Sequence, residues 1–157
     1  MRIGHGIDVH RTSHEVTREL WLGLVLIPDG RGLVGHSDAD VATHALCDAL
    51  LGAANLGDIG RHFPDTDPEF ADAPSRKLLE VTLDLVKSAG YVAISADITI
   101  IAERPKLADF MPAMSNELSS VVGTVVSVKA TTAEGLGSLG RVEGIAATAV
   151  VLLEEKS

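Results

Sequence analysis

The chain has 157 residues, 46% of them hydrophobic, and a net charge of −9 at neutral pH. That length and composition predict one globular domain over residues 1–157, with no linker, repeat or low-complexity run to divide it. The acidic balance excludes nucleic acid and an anionic membrane surface as partners, and with no signal-like leader and no apolar run of spanning length the cytoplasm is the expected compartment.

In chain order, Ile3–His10 reads as a strand, on which Asp8 and His10 project from the same face and can reach one ion. Leu20–Pro28 reads as short strands around a turn, ended by Asp29-Gly30-Arg31-Gly32. His36-Ser37-Asp38-Ala39-Asp40 then leads under a Ser/Asp cap into a helix running to about Ala54, with Asp40, His44 and Asp48 at i, i+4 and i+8 on one face. The single cysteine, Cys47, rules out an intrachain disulfide and reads as a buried thiol beside Leu46 and Ala49. Residues 55–68 are rich in Gly, Pro and Asp and too long for a simple connection, which marks a functional or mobile loop. Ser75 is expected to cap a helix with the apolar face Leu78, Leu79, Leu83 and Val86, stopped by Gly90. Tyr91–Ala102 reads as a long strand, and after Pro105 an irregular segment leads to a helix from about Asp109 to Val122. Val125–Ala130 is the next strand, a Gly-rich loop covers Thr131–Gly144, and Ile145–Leu153 closes the sheet.

The order strand, helix, helix, strand, helix, strand, strand predicts an α/β fold of the α+β sandwich type, similar to ferredoxin-like folds, with a mainly antiparallel sheet and helices on one face. Ile98–Ile101 and Ala146–Leu152 are apolar at nearly every position and want both faces covered. Three helices serve one face, so a closed homo-oligomer is expected to cover the other.

Asp8, His10 and His44 form a candidate facial ligand set with its fourth position left for substrate, suited to zinc and compatible with other divalent ions. A lone His on a strand is more often packed or solvated, and a polar helix stripe more often faces water. Here Asp38, Asp40 and Asp48 surround His44, and a ligating imidazole needs an outer acceptor for its other N–H.

Several separated motifs then carry a resemblance: Gly4-His5-Gly6-Ile7-Asp8-Val9-His10, His36-Ser37-Asp38-Ala39-Asp40, Asp58-Ile59-Gly60, Phe63-Pro64-Asp65-Thr66-Asp67, Lys129-Ala130-Thr131-Thr132-Ala133-Glu134 and Gly140-Arg141-Val142-Glu143-Gly144-Ile145-Ala146. In this order and spacing the chain resembles the 2-C-methyl-D-erythritol 2,4-cyclodiphosphate synthase family of the non-mevalonate isoprenoid pathway, from Met1 to about Leu153. The resemblance implies a homotrimer with its sheets lining the centre and active sites between neighbouring subunits. It implies conversion of 4-diphosphocytidyl-2-C-methyl-D-erythritol 2-phosphate to the cyclic diphosphate and CMP, a phosphorus–oxygen lyase reaction.

The same resemblance implies one zinc per subunit on Asp8, His10 and His44, and Mg²⁺ or Mn²⁺ reached by Glu134 through the phosphates. It puts His36 and Thr132 where the transition state is oriented and stabilised. It assigns substrate contacts to Asp8, Val9, His10, His36 and Ser37, to Asp58, Ile59 and Gly60 at the ribose, and to Phe63, Pro64, Asp65, Thr66 and Asp67 over the methylerythritol. The cytidine pocket falls on Ala102, Glu103, Arg104, Pro105, Lys106, Leu107 and Ala108, and Thr131, Thr132, Ala133, Glu134, Ser138 and Arg141 complete the set. Read without it, His36 is an ordinary turn residue, Thr132 is a β-former, Asp58 makes an Asx turn and the Asp/Pro cluster is a plain turn. Three positions depart from the family pattern: Arg104, Ala133, and Ser138, which stands where the family has an aromatic lining the trimer's central cavity. Arg141 and Glu143 are expected to pair near the threefold axis. The competing functions are a zinc phosphohydrolase and a non-catalytic trimer that binds metal or nucleotide.

Overall fold

The computed structural model describes residues 1–64, 66 and 73–156. The elements are β1 (Arg2–Arg11), β2 (Leu20–Leu22), β3 (Val25–Ile27), α1 (Val41–Ala53), α2 (Ile59–His62), α3 (Ser75–Ser88), β4 (Tyr91–Ile101), α4 (Met111–Val122), β5 (Val126–Thr131), α5 (Gly137–Gly140) and β6 (Gly144–Glu155). A four-stranded sheet runs β1-β6-β4-β5, and β2 and β3 form a separate hairpin. β6 is antiparallel to both β1 and β4, whereas β4 and β5 are parallel. Among the described residues, no helix is long and apolar enough to cross a membrane.

The two-layer α/β architecture is as expected: α1 lies on β1 and β6, α3 on α1 and β4, and α4 on β5. The ferredoxin-like connectivity is not. That pattern runs β-α-β-β-α-β, whereas here α4 joins two strands that hydrogen-bond directly to each other. The helix after β4 ends beside β5, so the chain returns in the same direction and the pair is parallel.

Local chemistry accounts for the remaining differences. α4 starts at Met111, not Asp109, because Phe110 and Met111 both donate to Leu107 O at 2.9 and 3.2 Å in a turn that must close first. Two short helices lie in segments read as loop, α2 under the Asp58 cap and α5 in the Gly-rich stretch. Ser75 is not the N-cap of α3; Pro74 holds that place and Ser75 is the first helical residue, fully buried.

α1 is buried nearly all round, from Val41 to Ala53, and so belongs to the core and not to an amphipathic surface. It approaches β1 unusually closely. A Cβ on Gly4 would lie 1.9 Å from Ala49 O, and one on Gly6 would lie 2.0 Å from Ala45 O. Only hydrogen at both positions lets the helix backbone rest on the strand. Cys47 is buried in the same helix, and burial pushes its thiol up to about 12, which makes it inert at neutral pH.

The other face of the sheet is open. Ile3, Ile7 and Val9 of β1 are 75%, 61% and 61% exposed, and Val150 of β6 is 46% exposed. They form one apolar surface, since Ile3, His5, Ile7 and Val9 pair in register with Leu152, Val150, Thr148 and Ala146.

Gly6→Ala is expected to destabilise the protein by about 3 kcal/mol, because the clash is with helix backbone that no rotamer change relieves. Urea unfolding followed by circular dichroism measures it; stability within a few tenths of wild type would contradict the close packing.

Candidate active site

The strand and the helix held together by Gly4 and Gly6 bring three ligand atoms to one point. Asp8 Oδ2 lies 3.1 Å from His10 Nε2 and 3.1 Å from His44 Nδ1, and the three atoms all fall within 4.8 Å of one another. Asp8 and His10 share a face of β1, and His44 stands in the first turn of α1. The outward atoms are also held. Val9 N donates to Asp8 Oδ1 at 2.9 Å, and His10 Nδ1 lies 2.6 Å from Val34 O, an acceptor that requires a proton on that nitrogen. His44 Nε2 faces the hydroxyls of Ser75 at 3.0 Å and Ser37 at 3.2 Å.

With His10 Nδ1 protonated outward, the neutral ring turns a bare Nε2 lone pair toward a carboxylate. Lone pairs so arranged repel unless a cation lies between them, so the donor set fits a divalent metal with N and O preference. Without a cation the arrangement favours charge on the imidazole instead. The hydrogen bond to Asp8 raises His10 above the ordinary histidine range, against the opposing effect of burial. Burial works to raise the Asp8 carboxyl, but the hydrogen bonds with His10 and His44 outweigh it and hold Asp8 well below the usual carboxylate range.

None of the carboxylates expected to serve His44 touches it. Asp40 is the N-cap of α1 and is fully buried; it accepts from Thr43 N at 3.0 Å and Thr43 Oγ1 at 2.7 Å, and from Gly23 N at 2.9 Å and Leu24 N at 2.8 Å. Asp48 accepts from Ile59 N at 2.8 Å, holding the start of α2 against α1, and burial raises its carboxyl. Asp38 accepts from Ser75 N at 2.8 Å and from the Ser75 hydroxyl, and so meets His44 only at one remove. A cap carboxylate turns toward backbone N–H groups, and spacing along the helix does not register that.

A cavity of about 140 Å³ opens over the three ligands, lined by Asp8, His10, His36, Ser37, His44, Ile59, Phe63 and Leu78. Leu78, expected on the apolar face of its helix, also lines the cavity. Arg18, between β1 and β2, fixes the backbone beside the cavity by donating to Gly35 O at 3.1 Å and Ser37 O at 2.6 Å on either side of His36. The Val9 side chain points to the opposite face of the sheet, which leaves its backbone on the site. Asp58 accepts from Arg61 N at 3.0 Å as the cap of α2. Pro64 and Thr66 follow Phe63, while Asp65 and Asp67 lie outside the described residues.

The remaining candidates gather elsewhere. Glu103 accepts from Ala133 N at 3.0 Å and Gly135 N at 3.1 Å, clamping the loop after β5. Thr132 Oγ1 donates to Glu134 Oε1 at 2.8 Å on that loop, where Glu134 adopts φ 52°. Arg104, Lys106 and Ala108 are exposed on the neighbouring segment, while Ala102 and Leu107 are buried and Pro105 half-buried. Arg141 pairs with Glu143 at 2.7 Å, and Glu143 N donates to Ser138 O at 3.0 Å. The row Val9–Ala146–Ile101–Thr131 crosses the whole sheet, so three strand spacings, roughly 14 Å, separate this cluster from the ligand triad.

The YgbB family model matches residues 1–154. The chain is 55% identical over 159 aligned residues to 2-C-methyl-D-erythritol 2,4-cyclodiphosphate synthase of Nitrosococcus oceani, covering 99% of both chains. It is 55% identical to the enzyme of that name from Geobacter metallireducens, over 99% of this chain and 100% of the other. Among solved structures, a CDP-bound form of 2C-methyl-D-erythritol-2,4-cyclodiphosphate synthase superposes with a TM-score of 0.88 at 40% identity, covering 98% of this chain and 100% of that one. The bifunctional IspDF of Campylobacter jejuni matches with a TM-score of 0.92 at 43% identity, over 98% of this chain and 42% of that longer chain.

Asp40 is the strut behind the triad. It satisfies both turn N–H groups of the β2–β3 hairpin, including that of Leu24, a non-glycine residue at φ 66°. Asp40→Ala is expected to cost about 3 kcal/mol by orphaning buried donors. A urea midpoint close to wild type would contradict that role.

Proposed function

The chain belongs to the YgbB family, and from that premise we propose that it closes 4-diphosphocytidyl-2-C-methyl-D-erythritol 2-phosphate into 2-C-methyl-D-erythritol 2,4-cyclodiphosphate with release of CMP, as a cytoplasmic phosphorus–oxygen lyase of the non-mevalonate isoprenoid pathway. The observation that carries this is the convergence of Asp8, His10 and His44 under a cavity that also takes in His36, Ser37, Ile59 and Phe63.

In the reaction the substrate's own 2-phosphate oxygen forms a bond to the β-phosphorus, the bond from that phosphorus to the bridging oxygen breaks, and the electron pair leaves on CMP. The nucleophile is already anionic and tethered, so no general base is needed. What the protein supplies is orientation and a field that offsets the repulsion between phosphates. Asp8, His10 and His44 would hold zinc, and Glu134 would reach Mg²⁺ or Mn²⁺ through the phosphates; the bound ions would supply positive charge and Lewis-acid polarisation at the diphosphate. His36 lines the cavity, and the Thr132 hydroxyl, which donates to Glu134 in the free chain, would turn from that carboxylate to the substrate; both orient the reacting phosphates. Asp58 and the Gly60 N–H hold the ribose, the 102–108 segment receives the cytosine largely through backbone groups, and Phe63 covers the methylerythritol. The CDP bound in the related structure supports the cytidine assignment.

The active unit is a homotrimer with sites between subunits. Two observations support this. The triad and the Glu103–Thr132–Glu134 cluster occupy opposite edges of one sheet and serve one substrate only if a neighbour supplies the second half. The apolar surface of Ile3, Ile7, Val9 and Val150 also requires a cover.

A ³¹P NMR time course with the substrate, Zn²⁺ and Mg²⁺ tests the reaction: two coupled signals of a cyclic diphosphate together with CMP are expected. A linear product would favour a phosphohydrolase, and an unchanged spectrum from folded, metal-loaded protein would favour a binding module. Sedimentation equilibrium should return three times the 16.4 kDa chain mass; a monomer at micromolar concentration would contradict the shared site.

A further inference from the structure

Ser75 is fully buried at the start of α3, with its hydroxyl between His44 and Asp38. We propose that Ser75, backed by Asp38, is a positioning residue for the metal centre, fixing His44 in the tautomer that presents the Nδ1 lone pair to the ion. The inference rests on the metal-site reading above.

Proton counting carries the argument. Both oxygens of Asp38 are occupied by Ser75: the backbone N–H donates to Oδ2 at 2.8 Å and the hydroxyl donates to Oδ1. The single hydroxyl proton of Ser75 is therefore spent, and toward His44 its oxygen offers only lone pairs. His44 Nε2 lies 3.0 Å from that oxygen, a distance that is attractive only if Nε2 carries the proton and donates.

Ser37 does not change this result. Its oxygen, 3.2 Å from the same nitrogen, accepts from Ala39 N at 3.2 Å. Were the Ser37 hydroxyl to donate to a bare Nε2, the Ser75 oxygen would face that nitrogen lone pair to lone pair in a buried site, at a cost of the kind that leaves buried polar groups paired. Nε2 thus donates to both hydroxyls, and the neutral ring has its bare lone pair at Nδ1, the atom 3.1 Å from Asp8 Oδ2.

The consequence is a relay, His44 to Ser75 to Asp38, that keeps a full negative charge one hydroxyl away from the ligand. A hydroxyl already donating to a carboxylate is a stronger acceptor, so it holds the Nε2 proton, and with it the orientation of the ring, more firmly. His10 is oriented the other way round, by a backbone carbonyl at its Nδ1. Either way each ring is committed to one ligating atom before any ion arrives.

The test is zinc affinity, measured by competition against a chromophoric chelator for wild type, Ser75→Ala, Asp38→Asn and Leu79→Ala. Leu79 is a buried neighbour on α3 that points into the core and serves as a packing control. Ser75→Ala is expected to raise the zinc dissociation constant by about 10- to 100-fold, Asp38→Asn to raise it by a smaller factor, and Leu79→Ala to lower stability without a comparable change. If Ser75→Ala does not fold, Asp38→Asn carries the test, since it keeps the serine and an amide oxygen to accept from it. Zinc affinity in Ser75→Ala and Asp38→Asn within twofold of wild type, or an equal loss in Leu79→Ala, would overturn the relay. Failure of the wild-type protein to bind zinc at all would instead overturn the metal-site reading.

Discussion

The whole arrangement depends on how closely α1 lies on β1. Two hydrogen atoms, at Gly4 and Gly6, stand where any side chain would strike the carbonyls of Ala49 and Ala45. Because that gap is closed, a residue in the first turn of the helix reaches residues on the strand. His44 meets Asp8 at 3.1 Å without help from a long side chain or a loop. The ligand triad is therefore a product of core packing. Both elements that carry it are regular, and α1 is buried nearly all round, which suits a site that must hold its geometry while a flexible substrate is folded around it.

The acidic residues near the centre divide the structural work. Asp40 receives the N-terminus of α1 and the β2–β3 turn, Asp48 receives the start of α2, and Asp38 receives the start of α3. Each carboxylate answers backbone N–H groups that would otherwise be orphaned at a helix end or turn. Only Asp8 is left facing the cavity, and the two imidazoles hold it ionised. Four carboxylates thus share one small region, three satisfied by protein donors and one by the centre, and what repulsion is left adds to burial in raising Asp48.

Much of this was legible in the sequence, and the limits have physical causes. Two-residue periodicity was enough to place Asp8 and His10 on one face of a strand. The Ser/Asp run before an apolar helix was enough to put His44 near its start. Ser75 shows where such reasoning stops. A serine before an apolar helix reads as a cap, yet one residue's displacement turns its hydroxyl inward to Asp38 and His44, and helix boundaries are not legible to one residue. Leu78 and Arg18 escaped for a different reason: Leu78 lines the cavity and Arg18 holds the backbone on either side of His36 through tertiary contacts that leave no local pattern. The parallel pairing of β4 with β5 was likewise invisible, because a strand's own residues do not record its neighbour's direction. Glu103 was named for its segment, whereas its carboxylate clamps the Thr132–Glu134 loop.

The central claim is that Asp8, His10 and His44 together hold one ion, each through a single atom. The most direct test is a crystal structure of the zinc-loaded protein with anomalous data collected on both sides of the zinc edge. One anomalous peak per chain is expected, about 2.0–2.2 Å from Asp8 Oδ2, His10 Nε2 and His44 Nδ1. A peak bound through His44 Nε2, or zinc lying away from these three residues, would contradict it.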